Sequence, residues 1–224
     1  KAYSGSVNTD AGFSIIKYVG NGTGGHTIPH HLGVIPKFMI IKALTGTENF
    51  ATFHAPLGNT KHMFLNTTGT AATSGGWWNN TSPTSSVFTL GDNANVNAND
   101  VSFICYAFSE KQGYNKFTSY VGNGNANGTF VYTGFKPAWV MIKYSDADGG
   151  LNWTIYDNKR IGFNQLNYVL VANSTAAEWD ANADHYIDIL SNGVKFRGNS
   201  PHLNRSGAAY QVMCFAEESF VSSS

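Results

Sequence analysis

The chain contains the same series of short segments twice, in the same order and about a hundred residues apart. Four pairs of segments match: residues 18–22 with 120–124, 36–42 with 137–143, 49–53 with 152–156, and 106–110 with 214–217. Repeats that build solenoids and propellers are only about 20 to 50 residues long, so each copy here is a whole folding unit. The duplication therefore predicts two tandem domains of the same fold.

Strand signals dominate both copies, and helix signals are nearly absent. Residues 38–42 and 139–143 are short apolar segments rich in β-forming side chains, which is typical of strands buried on both faces. Residues 50–54, 153–156 and 186–190 alternate large apolar side chains with small or polar ones, as half-buried strands do. We therefore predict an all-β fold of two tandem β-sandwich repeats, jelly-roll-like or lectin-like, of about 100 residues each.

The repeat also predicts where the domains begin and end. We expect residues 1–11 to be a run-in from a preceding segment, followed by a first sandwich over residues 12–110 and a second over residues 111–224. The joint near Lys111 is short and lacks the composition of a flexible linker. Cys105 and Cys214 lie among large apolar residues in the closing strands, so we predict buried free thiols.

Composition argues against several classes of function. Only 12% of the residues are charged, and 14 Lys and Arg balance 14 Asp and Glu, so nucleic acid and anionic membranes are not expected partners. No apolar stretch has the length of a membrane span. We find no nucleophile with a convincing base beside it, and spacing fixes no carboxylate pair. We therefore predict that the protein is not an enzyme.

Two loop segments have compositions that resemble binding loops. Residues 20–25 are rich in glycine, but no helix is predicted after them to bind a phosphate. The second copy keeps Gly-Asn-Gly at residues 122–124, which favours a hairpin turn in both copies. The asparagine-rich residues 92–100 are interpreted as turns in which the side chains bond their own backbone.

A histidine cluster is the first candidate metal site. His26, His30 and His31 lie within six residues, and imidazole suits zinc, copper or nickel. A helix would bring His26 and His30 to one face, but Pro29 and the flanking strand signals argue against a helix here. We expect a structural or surface role for this cluster and keep a metal at His26 and His30 as the alternative.

An acidic segment is the second candidate metal site. Asp180, Asn182 and Asp184 follow the first half of the calcium-loop pattern. The glycine and the glutamate that complete such a loop are absent from their positions, which favours a solvated loop. We therefore expect no cofactor and keep calcium at Asp180 and Asp184 as the alternative.

Three tryptophans stand apart from the strand positions that explain most of the aromatic residues. Trp77 and Trp78 lie between glycines and asparagines, and Trp179 lies between two acidic residues. Indole faces stack on the C–H faces of sugars, and nearby amides and carboxylates bond the hydroxyls. Trp77, Trp78, Trp179 and Asp180 are therefore the candidate ligand-binding residues, although strand alternation would turn one of the first two inward.

Several blocks resemble a known class of domains. Residues 32–42, the segment 78–88 and Tyr-Ala-Phe at 106–108 are similar to duplicated domains in tail fibres and other virion appendages of tailed bacteriophages. The resemblance covers residues 12–217 and carries over no functional residue. It implies a non-enzymatic structural protein of the virion surface, a homotrimer that contacts other virion proteins and a host surface glycan. The chain departs from the pattern at His31, where a glycine is common.

Two other functions stay open at the level of the sequence. A carbohydrate-binding module of another extracellular protein would use the three tryptophans as stacking platforms. A polysaccharide depolymerase would need a carboxylate pair, such as Asp180 and Asp184, brought together by the fold. The segments that the two copies do not share are where we expect any specific function.

Overall fold

A computed structural model describes residues 2–146, 149–180 and 183–218, so Asn182 of the predicted calcium loop lies outside the described residues. The fold is all-β, as predicted, and its strands pair antiparallel. The chain divides into two compact units, Lys1–Asn66 with Ala71–Glu110, and Thr67–Thr70 with Lys111–Ser224. No helix among the described residues has both the length and the apolar character needed to span a membrane.

The first unit combines a large and a small sheet around one hydrophobic core. Its strands are β1 (Tyr3–Asn8), β2 (Phe13–Val19), β3 (His26–Pro29), β4 (Phe38–Ala43), β5 (Ala51–His54), β6 (Lys61–Phe64), β7 (Ala72–Thr73), β8 (Val87–Leu90) and β9 (Ser102–Phe108). Its helices are a 3₁₀ turn (Ala55–Leu57), α1 (Gly75–Trp78) and α2 (Ala94–Asn97). The large sheet has the order β1-β2-β9-β4-β5-β6-β7, and β3 pairs with β8. Side chains from both sheets and both α-helices meet in the core.

The second unit is built in the same way. Its strands are β10 (Asn115–Val121), β11 (Phe130–Tyr132), β12 (Pro137–Tyr144), β13 (Thr154–Asp157), β14 (Tyr168–Val171), β15 (Trp179–Asp180), β16 (Ile187–Leu190), β17 (Gly193–Phe196) and β18 (Ala209–Ala216), with a 3₁₀ turn at Ala183–His185. The large sheet has the order β10-β18-β12-β13-β14-β15, and the small one β11-β17-β16. Side chains from both sheets again form one core.

The duplication in the sequence recurs in the strand order. Without β1, the first large sheet reads β2-β9-β4-β5-β6-β7, and each of these strands has a counterpart in the same place in the second sheet. The proline-led blocks form β4 and β12, and the closing aromatic blocks form β9 and β18. Cys105 and Cys214 lie in β9 and β18 as free, buried thiols, as predicted. The shared blocks are thus scaffold.

The segment predicted as a run-in instead forms a strand of the first unit. Residues 3–8 form β1, which pairs with β2 over six residues. Five of the six residues of β1 are exposed, and the sixth, Tyr3, packs its side chain against the core. Backbone hydrogen bonds, rather than side-chain burial, therefore hold β1 in place. Residues 3–8 alternate Tyr, Gly and Val with Ser, Ser and Asn, but only two of them have apolar side chains, which is too weak a pattern to predict a strand.

The two Gly-Asn-Gly elements are not hairpin turns. The strands on either side of the first element, β2 and β3, belong to different sheets, and so do β10 and β11. The glycines lie instead where two backbone segments cross at close range. A Cβ added to Gly20 would lie 2.2 Å from Ala98 O, and one added to Gly122 would lie 2.3 Å from Arg205 O. Only glycine fits such a crossing.

A buried asparagine secures the first glycine element. Asn97 Nδ2 donates to Asn21 Oδ1, Thr23 O and Gly91 O at 3.1, 2.9 and 2.7 Å. Asn97 Oδ1 accepts from the Asn21 amide at 3.0 Å and lies 3.0 Å from His26 Nδ1. The side chain is fully buried, so these hydrogen bonds satisfy polar groups that water does not reach.

Asn204 has the same role in the second unit. Its Nδ2 donates to Asn123 Oδ1, Asn125 O and Gly198 O at 2.9, 2.8 and 2.9 Å. Its Oδ1 accepts from the Asn123 amide at 2.9 Å. Asn204 is also fully buried. The repeat thus includes a polar anchor that lies outside the matching sequence blocks.

Candidate functional site

Two clefts in the second unit share one exposed aromatic side chain. Phe163, in the connection between β13 and β14, is 72% exposed and lines both clefts. The cleft that we name the lysine cleft has a volume of about 400 Å³ and is lined by Lys136, Asn158, Lys159, Gly162, Phe163, Asn164, Leu166, Ile189 and Glu217. The tyrosine cleft has a volume of about 470 Å³ and is lined by Arg160, Ile161, Phe163, Gln165, Asn167, Tyr168 and Tyr186. Both volumes are in the range of small-ligand sites.

The segment that carries Phe163 is anchored to the small sheet. Asn164 Nδ2 donates to Ile189 O, and Asn164 Oδ1 accepts from the Ile189 amide, both at 2.9 Å. Two residues later, the Leu166 amide donates to Ile187 O at 2.8 Å and Leu166 O accepts from the Ile187 amide at 3.2 Å. An exposed ring on an anchored segment loses little conformational entropy when a ligand binds.

Arg160 is fixed in the wall of the tyrosine cleft by three acceptors. Its Nε donates to Asp157 Oδ2 at 2.6 Å, Nη1 to Glu178 Oε2 at 2.7 Å, and Nη2 to Ile155 O at 3.1 Å. Burial alone would raise the pKa of Asp157, but hydrogen bonds from Lys159 and Arg160 and the arginine charge outweigh it and hold that pKa below its usual value. Two carboxylates therefore compensate the guanidinium, and the cleft has no excess positive charge.

Two sequence-predicted residues, Trp179 and Asp180, lie next to the tyrosine cleft. They form β15, which pairs with β14. Trp179 is half-buried, packs against the second core, and contacts His185 edge-on with ring centroids 5.3 Å apart. Asp180 is exposed, and its Oδ1 accepts from Asn167 Nδ2 at 2.5 Å. Asp180 therefore orients an amide that lines the cleft, whereas Trp179 supports the structure behind it.

Trp77 and Trp78 were predicted as candidate ligand-binding residues with one indole turned inward, but the structure buries both. The two side chains are 4% and 1% exposed and belong to the first core. Trp77 stacks on His62 with centroids 3.9 Å apart, and Trp78 Nε1 donates to Lys61 O at 2.9 Å. Neighbouring side chains point in opposite directions in a strand, but the turn of α1 lets both indoles face inward. Neither indole presents a face to a sugar.

Burial of His62 makes the stability of the first unit sensitive to acid. Burial lowers the pKa of His62 to about 4, whereas unfolding returns it to about 6.5. As the pH falls from 6.5 towards 4, the unfolded state binds the proton first, so stability is lost over that interval. We expect a loss of about 2 kcal/mol from His62, measured as the difference in urea unfolding free energy between the two ends of the interval.

The His62→Phe variant separates this contribution from that of other histidines. Phenylalanine keeps a flat ring against Trp77 but does not titrate. Other buried histidines destabilise both proteins in acid alike, so the variant should show a smaller pH dependence than the natural chain. Identical pH dependence in the two proteins would show that His62 is not responsible.

The histidine cluster does not form a metal centre. His30 is fully buried, with Nε2 3.1 Å from Thr84 O and Nδ1 accepting from the Leu32 amide at 3.2 Å, so both ring nitrogens are used. His26 Nδ1 lies at hydrogen-bond distance from Oδ1 of the buried Asn97. His31 adopts a φ of 57°, in the left-handed region that favours glycine.

The two acidic candidates, Asp180 and Asp184, lie in different elements on either side of Asn182, which is outside the described residues. Asp180 lies in β15, and Asp184 lies in the 3₁₀ turn that precedes β16. Within the part of the chain that the structure describes, no group of three or more His, Cys, Asp or Glu side chains could hold a metal ion.

Sequence reasoning missed the aromatic residues of the clefts, Phe163, Tyr168 and Tyr186. One signal was available in the repeat itself. The connection from β13 to β14 spans residues 158–167, whereas the equivalent connection from β5 to β6 spans only residues 55–60. An insertion in one copy, in a loop with an isolated phenylalanine after glycine, marks a segment that the scaffold does not need.

One comparison with known protein families matches a region that spans both copies of the repeat and strand β1. No curated protein and no solved structure matches the chain. A family model described as a domain of unknown function, DUF7483, matches residues 3–219, which includes every residue that lines the two clefts. The chain therefore belongs to the DUF7483 family.

Proposed function

We propose that the chain is a non-enzymatic attachment module that binds glycans at the two clefts around Phe163. The observation that carries the proposal is the exposed, anchored ring of Phe163 between clefts lined by amide side chains. Aromatic rings stack on the apolar faces of sugars, and amides donate to and accept from hydroxyls. That the chain is not an enzyme stays a prediction.

The composition of the tyrosine cleft supports this proposal. Tyr168 is 38% exposed and adds a second accessible ring beside Phe163. Gln165 and Asn167 supply amide groups, and Arg160 is already paired with two carboxylates. A surface with rings, amides and no excess positive charge suits an uncharged, hydroxyl-rich group.

We also propose, from the resemblance alone, that the module is part of a virion appendage of a tailed bacteriophage. In that setting it assembles as a homotrimer with other virion proteins and displays the clefts towards a glycan of the host surface. The low charge and the asparagine- and threonine-rich composition are compatible with such a surface. The duplicated scaffold would then serve to place the clefts rather than to bind.

The Phe163→Ala variant tests the binding site. Loss of the stacking ring should weaken binding of glycan-array ligands about tenfold, which corresponds to about 1.4 kcal/mol. Affinities for the strongest array ligand can be measured by calorimetry. Because Phe163 is 72% exposed, its replacement should leave the thermal unfolding midpoint nearly unchanged.

Tyr132→Ala is the matched control. Tyr132 is a 63% exposed aromatic residue of β11 in the same unit, and it lines neither cleft. Its replacement should leave glycan affinity unchanged. Equal affinity of the natural chain and Phe163→Ala, or equal losses in the two variants, would contradict binding at Phe163.

A further inference from the structure

The lysine cleft carries one more positive than negative side chain. Lys136 Nζ pairs with Glu217 Oε2 at 2.5 Å, and Lys159 Nζ lies 3.5 Å from Oε1 of the same carboxylate. The two lysine side chains are 51% and 78% exposed. Each ammonium group has three donors, so both lysines keep donors for a further acceptor after contacting Glu217.

Glu217 is held in its charged form and cannot compensate both lysines. Its pKa is lowered first by the hydrogen bond from Lys136, and further by the charge of Lys159 and a hydrogen bond from Asn158. Asn158 Nδ2 donates to Glu217 Oε1 at 2.7 Å. One carboxylate between two ammonium groups leaves an uncompensated positive charge at this cleft.

The wall of the lysine cleft also contains an unsatisfied acceptor. Asn158 Oδ1 is closed to solvent and has no hydrogen-bond partner among the residues that the structure describes. An unpaired buried acceptor costs free energy until a donor reaches it. A hydroxyl group of a ligand that displaces the neighbouring side chains in the cleft is a suitable donor.

The two clefts around Phe163 therefore differ in charge. Arg160 in the wall of the tyrosine cleft is paired with the carboxylates of Asp157 and Glu178 behind it, so these three side chains together carry one negative charge. At the lysine cleft the excess is one positive charge. A carboxylate would be repelled from the first and attracted to the second.

We propose that the lysine cleft binds the carboxylate of an acidic sugar, so that the ligand is an acidic oligosaccharide with an uncharged part against Phe163 and the tyrosine cleft. This inference rests on the proposed glycan-binding function and names the class of sugar. The carboxylate contacts Lys136 and Lys159, the two exposed ammonium groups of this cleft. Because Phe163 lines both clefts, we expect a single oligosaccharide to occupy both of them.

A pair of probes with the same backbone tests the inference. Sialyllactose carries one carboxylate on its terminal sugar and two uncharged sugars beside it, and its methyl ester has the same sugars without the charge. The natural chain should bind the acid more tightly than the ester, and added salt should weaken binding of the acid only. Calorimetry at low and physiological ionic strength measures both effects.

Lys159→Gln removes the charge of the more exposed lysine. This variant should bind the acid about threefold to fivefold more weakly and the ester unchanged. Lys61→Gln, at an exposed lysine of β6 in the first unit, changes the net charge equally and should alter neither affinity. Phe163→Ala should weaken binding of both probes.

The outcomes separate this inference from the proposed function. Equal binding of acid and ester, with no effect of Lys159→Gln but a loss in Phe163→Ala, would overturn the inference and support glycan binding at Phe163. Binding of neither probe would overturn the inference as well, and the array would still test the proposed function with other glycans.

Discussion

The Asn97→Ala variant should lose about 4 kcal/mol of folding free energy, one of the largest effects expected from a single substitution in this chain. Truncation removes the donors to Asn21, Thr23 and Gly91 and leaves the Asn21 amide without its acceptor. The Gly91 carbonyl is buried, and a buried group that loses its partner costs about 1 to 3 kcal/mol; the partly buried groups of Asn21 and Thr23 add smaller losses. Urea unfolding of the natural chain and the variant measures the difference.

Two further variants show whether burial and the amide donors cause this loss. Asn99→Ala changes an exposed asparagine in the same loop and should alter stability by less than about 0.5 kcal/mol. Asn97→Asp keeps the shape but turns a carboxylate oxygen towards three acceptors, so at neutral pH it should be no more stable than Asn97→Ala. A loss below about 1 kcal/mol in Asn97→Ala would show that the anchor is not a major source of stability.

In both units the buried asparagine is hydrogen-bonded to a glycine that itself lies in close contact with a short helical turn. A Cβ added to Gly91 would lie 2.2 Å from Gly76 O of α1, and one added to Gly198 would lie 1.8 Å from Asp184 O of the second 3₁₀ turn. Each of these two glycines offers its carbonyl to the buried asparagine six residues later. The scaffold therefore holds a short helical turn at the same place in both units.

The side chains on this turn differ between the two units. The shortness of the turn also explains one error of the sequence prediction. In the first unit the turn carries Trp77 and Trp78 into the core. In the second it carries His185, whose Nε2 lies 2.8 Å from Ser200 Oγ. A strand was expected at Trp77 because the one-turn helix is too short to give a periodic signal.

The sequence was sufficient for the parts of the fold that depend on local pattern. The all-β class follows from alternation and apolar strands, and the matching blocks coincide with equivalent strands such as β4 and β12. The asparagine anchors could not be predicted in this way. Asn97 lies in a run of similar asparagines, and long-range packing alone decides which of them is buried.

The candidate site was predicted only in part, for a related reason. Asp180 was identified from its acidic neighbourhood and does orient an amide of the tyrosine cleft. Phe163 escaped notice because a single aromatic residue in a polar loop has the same local pattern whether its ring is buried or exposed. The length of the connecting loop, compared between the two copies, carries more information than the residue itself.

The Gly122→Ala variant should destabilise the second unit by about 3 kcal/mol or more, because its Cβ has no space. The added atom would lie 2.3 Å from Arg205 O and 2.8 Å from Asn204 C, and both contacts are with backbone atoms that rotamer changes cannot move. The shift would also separate Asn204 from the partners that it anchors. Scanning calorimetry should show the second unit of the variant unfolding at a lower temperature than that of the natural chain.

Gly149→Ala is the control, since an added Cβ there meets no atom of the described residues within 4 Å, and it should change stability by less than about 0.5 kcal/mol. Equal stability of the two variants would contradict a tight crossing at Gly122. Gly20→Ala should repeat the large loss in the first unit, where the added Cβ would lie 2.2 Å from Ala98 O. Matching losses would show that Tyr-Val-Gly-Asn-Gly recurs because each unit needs the same backbone crossing beside its buried asparagine.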